Sequence, residues 1–469
     1  MKRIKTTFLV WLLILVLGQP TTLQPAGAFS IGAEREIGEK LLYSVRSAFP
    51  LIDDPDIVQY VTALGRNVLE VAGVQYFDYH FFVIDNKEFN AFAAPSGLIF
   101  FHSGLIATMQ SEDELVSVLA HEIGHIVKRH LASRVEKGTY TSVASLGLAL
   151  AAVAFGGAAA PALLTGALAT GQSMNLHFSR QHEEEADLLA YGWMKKLGRN
   201  PEAQSKMLET MRRIARYRSD RLPQYLLTHP NPEARLNYIE SLLDIDRQEL
   251  QRRPMAANDF AFTRFKYRVM SKTQEPRSFR AYLANIVADK QRTESAKIMA
   301  GYGLALLAHA ENNHDLALTE LAQVINAYPD ETILQVDKGV FLFTAGRIAE
   351  AEQVLRNALH NDSNNMYAAF TLAKLLYRTG RLDEAEEYFN RVRYELPEYA
   401  KVYFEIGQIA ADRKERGAAS FSLGKFNLYE GKLALAEHHL QSALRDQDLP
   451  EKMRAEAKEL QKKIALLQK

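Results

Sequence analysis

His121-Glu122-Ile123-Gly124-His125 sets two imidazoles four residues apart, with a carboxylate beside the first. On a helix, positions i and i+4 stack on one face, so both rings can reach one metal ion, and these ligand types suit zinc. Glu122 lies one position round, placed to take a proton from a water whose pKa the metal brings toward about 7. Two exposed histidines on a surface helix would be the bland alternative. It is weakened by the apolar stripe in which the motif is embedded: Leu115, Val118, Leu119, Ile123, Ile126 and Val127 recur at helical spacing. Ser111 to Glu114 reads as a capping box with extra acid in the first turn, which predicts a helix from about Glu112 to Arg134.

Two imidazoles leave a catalytic zinc one protein ligand short. With no cysteine among 469 residues, thiolate zinc fingers, disulfide scaffolds and thiol nucleophiles are all excluded, so His and carboxylates must hold the single expected zinc ion. The third ligand is sought in Ser179-Arg180-Gln181-His182-Glu183-Glu184-Glu185-Ala186-Asp187. Glu183 and Asp187 are four apart and share a helical face, so Glu183 can bind metal while Asp187 accepts an imidazole N–H. His182 is the competing ligand; Glu184 and Glu185 are expected to point into solvent. The other histidines, among them His80, His102, His130 and His177, lack a partner at ligand spacing and are read as structural or surface residues.

Other elements must position these groups. Tyr79 to Ile84 and Leu98 to Phe101 are β-branched and aromatic runs bounded by turn residues, which predicts strands. Residues 138–179 contain no Asp, Glu, Lys or Arg and are rich in Ala, Leu and Gly; a helical hairpin packed on the protein is expected, with lipid contact or a membrane span as the rival reading. At the N-terminus, Lys2, Arg3 and Lys5 precede the apolar run Phe8 to Leu17, and Ala26-Gly27-Ala28 supplies a cleavage pattern. Residues 1–28 are therefore expected to be a secretory signal peptide, and an uncleaved anchor is the alternative. Lys+Arg and Asp+Glu both number 56, so no basic surplus argues for a nucleic-acid partner.

Beyond about Gln274 the pattern is helical and repeats. Ala317, Ala351 and Ala385 recur every 34 residues, preceded five residues earlier by Asn312, Gly346 and Gly380; a further unit is read at Gly431 and Ala436, offset by an extra half period of 17. Such a period resembles the tetratricopeptide repeat, in which helix pairs stack into a curved solenoid because no pair buries its apolar face alone. A solenoid of this kind binds chain segments or docks onto a partner.

His-Glu-Ile-Gly-His, followed after an apolar insert by Ser-Arg-x-x-Glu-x-x-Ala-Asp, resembles the zinc metallopeptidase family that includes the HtpX heat-shock peptidases and the CAAX prenyl proteases. The signal pattern and C-terminal repeats make it most similar to that family's periplasmic branch, the β-barrel assembly-enhancing proteases. The resemblance implies His121, His125 and Glu183 as zinc ligands, Glu122 as general base and Asp187 as an acidic partner often described as a proton donor. Asn90-Ala91-Phe92-Ala93 with Gly97 resembles the family segment in which an extended edge strand lines the cleft, so Asn90 and Ala91 would contact a peptide added to that edge. Thr228-His229-Pro230-Asn231-Pro232 with Arg235 resembles the family's His-Pro segment. His229 there could support the oxyanion, occupy the fourth zinc position, or simply belong to a capped turn before a helix.

The expectation is an α+β, predominantly helical chain: a zincin-like (gluzincin) peptidase domain over 29–255, then an all-α repeat solenoid over 256–469. Its expected work is zinc-dependent endoproteolysis in the periplasm, associated with the outer membrane, in quality control or assembly of exported proteins. Unfolded polypeptides would be substrates, and the outer-membrane assembly machinery a partner for the repeats. Two rivals remain: a repeat chaperone or adaptor with latent or vestigial protease activity, and an integral-membrane peptidase anchored by 138–179.

Overall fold

The computed structural model describes residues 30–136, 178–217, 224–250 and 259–468. The expected signal peptide, nearly all of the apolar insert over 138–179, and His177 lie outside them. No described helix is long and apolar enough to cross a membrane.

A three-stranded sheet underlies the site. β1 (His80–Ile84) runs parallel to β3 (Leu98–His102), with His80 opposite Leu98, and β2 (Ala91–Ala94) pairs antiparallel on the other side of β3, Ala91 opposite Phe101. β2 is thus an edge strand, as expected around Ala91. Gly97 makes the tight entry to β3 possible: its φ is 89°, and a Cβ there would lie 2.5 Å from the Asp78 carbonyl oxygen. One face of the sheet, through Phe81, Ile99 and Phe101, packs with Leu119 and Ile123 and with Val61 and Leu64 of helix Pro55–Ala72. The other face, through Phe92 and Phe100, meets Leu41, Leu42 and Val45 of helix Ile31–Ala48.

The motif helix runs Glu112–Val127, and every residue from Glu112 to Ile126 is buried. Ser111 Oγ accepts from the Glu114 N–H, while Arg199 Nη1 donates to the Glu112 and Asp113 carboxylates, so two of the three first-turn acids share a cation and the turn is capped as well. The helix does not continue to Arg134. Arg129 adopts φ 53°, a left-handed conformation costing about 1–2 kcal/mol for a residue with a Cβ, and a second helix, His130–Glu136, starts from it. Two hydrogen bonds offset that cost: Arg129 N–H to Ile126 O (2.8 Å) and Arg129 Nε to the buried Glu34 Oε2 (2.8 Å).

Helix Arg180–Lys196, capped by Ser179 Oγ accepting from the His182 N–H, crosses the motif helix where a Cβ on Gly124 would come 3.1 Å from Ala186 Cα. This close crossing brings Glu183 and Asp187 up to His121 and His125.

From helix Glu294–Ala310 onward the chain forms antiparallel helix pairs. The turn residue within successive pairs is Asn312, Gly346, Gly380 and Lys414, all at positive φ, so the 34-residue register continues one unit further than the glycines reveal. Lys414, not Gly431, marks the fourth pair, Ala400–Asp412 with Arg416–Tyr429. Gly431 turns the chain into Leu433–Arg445, and the apparent half-period is one extra helix.

Helix Asp259–Thr273 belongs to two cores. Phe262, Phe265 and Val269 pack into the peptidase core, and Phe260, Tyr267 and Met270 into that of the first repeats. Its Arg264 donates to Asp337 (2.9 and 3.0 Å) and Asp56 (2.8 and 3.0 Å), and its Arg268 to Asp54 (3.1 and 3.2 Å) and Asp337 (3.3 Å). Farther along, Gly431 presses on helix Ile31–Ala48 so closely that a Cβ would lie 2.3 Å from the Tyr43 carbonyl oxygen.

Candidate metal centre

Four ligand atoms converge in the space between the motif helix, helix Arg180–Lys196 and the turn at Thr228–Pro232. His121 Nε2 and His125 Nε2 are 3.1 Å apart. Glu183 brings Oε2 to 3.5 Å from His121 Nε2 and Oε1 to 3.5 Å from His125 Nε2. His229 Nδ1 lies 3.3 Å from His121 Nε2 and 3.0 Å from Glu183 Oε1. A tetrahedral zinc with arms of about 2.0–2.1 Å has ligand-to-ligand edges of about 3.3 Å, so these separations and the imidazole–carboxylate donor set fit the ion. All four side chains are buried, and no candidate atom is more than 4.8 Å from another.

Local structure explains each placement. Helix Gln224–Thr228 ends with the His229 N–H donating to Tyr225 O, and Pro232 opens helix Pro232–Leu250, which carries Arg235. The turn between them therefore serves as both helix boundary and ring support. Arg235 donates from Nε and Nη2 to Asp187 at 2.7 and 2.8 Å and places Nη1 2.7 Å from Glu183 Oε2. Asp187 Oδ1 in turn stands 2.9 Å from His121 Nδ1. Burial alone would raise the Asp187 carboxyl, but Arg235 and His121 hold it well below the usual carboxylate range.

Glu122 is different. It is fully buried, and neither carboxylate oxygen has a hydrogen-bond partner among the described residues; His229 Nε2 lies 3.5 Å from Oε1. Burial raises its proton affinity against the opposing pull of His229 and His121. A buried carboxylate left without a donor is costly, and such groups concentrate at functional sites.

Asn90 and Ala91 are completely buried, so β2 exposes no edge to solvent at these positions; Asn90 O accepts from the His102 N–H and extends the β2–β3 ladder. His182 stays out of the ligand group and stacks on His130, ring centroids 4.2 Å apart. Glu184 is exposed as expected, but Glu185 is only partly so: its Oε2 lies 3.2 Å from His130 Nε2. His130 was expected to stand apart from the site. Instead its Nδ1 lies 2.9 Å from His125 Nδ1, and burial pushes its imidazole down to about 4, leaving it neutral. His80 pairs with Glu398 of the solenoid at 3.1 Å, and His102 is buried beside Phe92.

Residues 57–243 match the model of peptidase family M48, and residues 302–366 and 342–404 match tetratricopeptide repeat models. The β-barrel assembly-enhancing protease of Escherichia coli (strain K12) is 32% identical over 377 residues, covering 78% of this chain and 74% of that protein. The protein of the same name from Yersinia pestis is 31% identical over 312 residues, covering 65% and 62%. The mitochondrial metalloendopeptidase OMA1 of Schizosaccharomyces pombe is 31% identical over 187 residues, covering 39% of this chain and 52% of the relative.

Proposed function

Since the chain belongs to the β-barrel assembly-enhancing protease family, metalloendopeptidases with an M48 unit followed by tetratricopeptide repeats, we propose that it runs on one zinc ion held by His121, His125 and Glu183. The carrying observation is the convergence of their ligand atoms, with His229, within 4.8 Å. Bound zinc would polarise the scissile carbonyl and acidify the attacking water. Glu122 would take a proton from the attacking water and deliver it to the leaving amine; its buried carboxylate, without a hydrogen-bond partner among the described residues, suits both transfers. Asp187 is assigned to anchoring rather than proton delivery, because it accepts from Arg235 and faces His121 as an ionised group. His229, whose Nδ1 joins the other potential ligand atoms, would close the site where a substrate oxygen enters; oxyanion support would require its ring to swing away.

The substrates we propose are unfolded or misassembled exported polypeptides, added to β2 at Asn90–Ala91 once that edge is uncovered. We place the work in the periplasm, on the strength of the Lys2–Ala28 signal pattern and of relatives whose names refer to β-barrel assembly. The domains are read as 29–255 and 256–469, with the solenoid recruiting substrate or docking on the assembly machinery. Zinc content, measured beside casein cleavage by wild type and Glu122→Gln, tests the centre. Stoichiometric zinc with cleavage lost in the variant is expected; unchanged cleavage in Glu122→Gln would remove the chemistry assigned here.

A further inference from the structure

The two imidazoles of the motif are anchored in different ways. His121 meets a buried carboxylate directly: Asp187 Oδ1 lies 2.9 Å from its Nδ1, and Asp187 is itself fixed by Arg235. Among the described residues, no carboxylate stands at the outer nitrogen of His125. Its Nδ1 faces His130 Nδ1 at 2.9 Å, and His130 Nε2 faces Glu185 Oε2 at 3.2 Å.

Two ring nitrogens at that distance are one donor and one acceptor. His125 Nε2 points into the ligand group, 3.1 Å from His121 Nε2 and 3.5 Å from Glu183 Oε1, so it must be bare to bind an ion. The His125 proton then sits on Nδ1 and donates to His130 Nδ1. His130 must carry its own proton on Nε2, where the Glu185 carboxylate accepts it. The opposite arrangement puts a proton on the nitrogen needed for metal and turns a bare nitrogen toward a carboxylate. One tautomer set therefore satisfies all three groups.

Nothing in a straight helix would place His130 there. Five residues correspond to about 500° of rotation, which leaves His130 about 140° away from His125. The left-handed Arg129, held by the Glu34 carboxylate, interrupts the helix and brings His130 back against His125. His182, stacked on His130 with 4.2 Å between centroids, fixes the plane of that ring.

We infer that His130 is a positioning residue for His125, and that Glu185, reaching in from the protein surface, sets the tautomer of that ligand through His130. The metal centre thus has one anchor sealed in the interior and one that passes through a second imidazole to a partly exposed carboxylate. An outer partner of this kind is worth about 10–100-fold in metal affinity.

This inference rests on the zinc reading, and the experiment separates the two. Full-length protein stripped of metal is titrated with zinc against a chromophoric chelator, and with cobalt while its visible absorption is recorded. If wild type binds no zinc, the zinc reading itself falls. With one zinc bound by wild type, His130→Phe, which keeps the ring but loses both nitrogens, should weaken binding about 10–100-fold and shift the cobalt bands. His130→Gln should recover part of the loss, because its amide oxygen can accept from His125. Glu185→Ala should weaken binding severalfold, whereas Glu184→Ala, the exposed neighbour, should stay within twofold. Zinc affinity within twofold of wild type in both His130→Phe and Glu185→Ala would overturn the assignment. If His130→Phe fails to fold, the surface substitution Glu185→Ala decides alone.

Discussion

Gly124 and Ala186 meet backbone to backbone: a Cβ on the glycine would lie 3.1 Å from the alanine Cα and 3.3 Å from its carbonyl oxygen. His121 and His125 flank the first residue of this pair, and Glu183 and Asp187 flank the second, so the separation of two helix axes sets the size of the ligand group. Gly124→Val forces that separation open. A cost of about 1–3 kcal/mol is expected from overpacking, with zinc affinity down more than tenfold. Thermal melts and a zinc titration measure both, and wild-type affinity in the variant would show that the crossing does not set the centre.

On the proposed zinc reading, His229 Nδ1, 3.3 Å from His121 Nε2 and 3.0 Å from Glu183 Oε1, would take a position that hydrolysis needs free. His229→Ala should keep its zinc and cleave casein severalfold faster than wild type. A fall in cleavage at full zinc occupancy would assign the ring to oxyanion support instead.

Asp337 carries one negative charge between two buried guanidiniums and also accepts from Tyr302 OH at 3.2 Å. Its removal leaves Arg264 and Arg268 undercompensated on the solenoid side. Breaking a buried pair from one end costs about 3–5 kcal/mol. Asp337→Ala, followed by denaturant unfolding of the full chain, should show a loss of that size; a loss under about 1 kcal/mol would mean that Asp54 and Asp56 suffice.

Glu398 bridges the repeats to Arg46 (2.6 Å) and His80 (3.1 Å) of the peptidase unit. Burial would raise its carboxyl, but the hydrogen bond to His80 and the charge of Arg46 bring it down to about 2. A folded-state value below the unfolded one, about 4.3, means that this stabilisation is full above that pH and disappears as pH falls toward about 2. Because the side chain is 36% exposed, solvent screening limits the contribution to about 1 kcal/mol. Stability measured from pH 6 to pH 2 should fall less steeply in Glu398→Gln than in wild type; parallel curves would exclude this contact as the cause.

Much of the centre is legible in the chain because helical spacing alone aligns His121 with His125 and Glu183 with Asp187. The strands were readable from their aromatic and β-branched runs, and the solenoid from its small residues every 34 positions. Two departures from the sequence pattern share a cause: a backbone turn made by a residue with no conformational signature. Arg129 and Lys414 both take positive φ where glycine or asparagine would have announced it. The first carries the expected motif helix seven residues too far and hides His130; the second moves the fourth repeat unit from Lys414 to Gly431. Arg235's grip on Asp187 and Glu183 spans about 50 residues and obeys no local period, so only the fold reveals it.

Helix Asp259–Thr273 lends alternate faces to catalytic and repeat halves alike. The chain consequently resists being cut into cassettes. A splice placed on either side of this helix would strip apolar side chains from one half, and grafting foreign repeats would require partners for Arg264, Arg268 and the flat contact at Gly431. The solenoid's contacts with Asp54, Asp56 and the Tyr43 carbonyl would have to travel together with the peptidase unit they join.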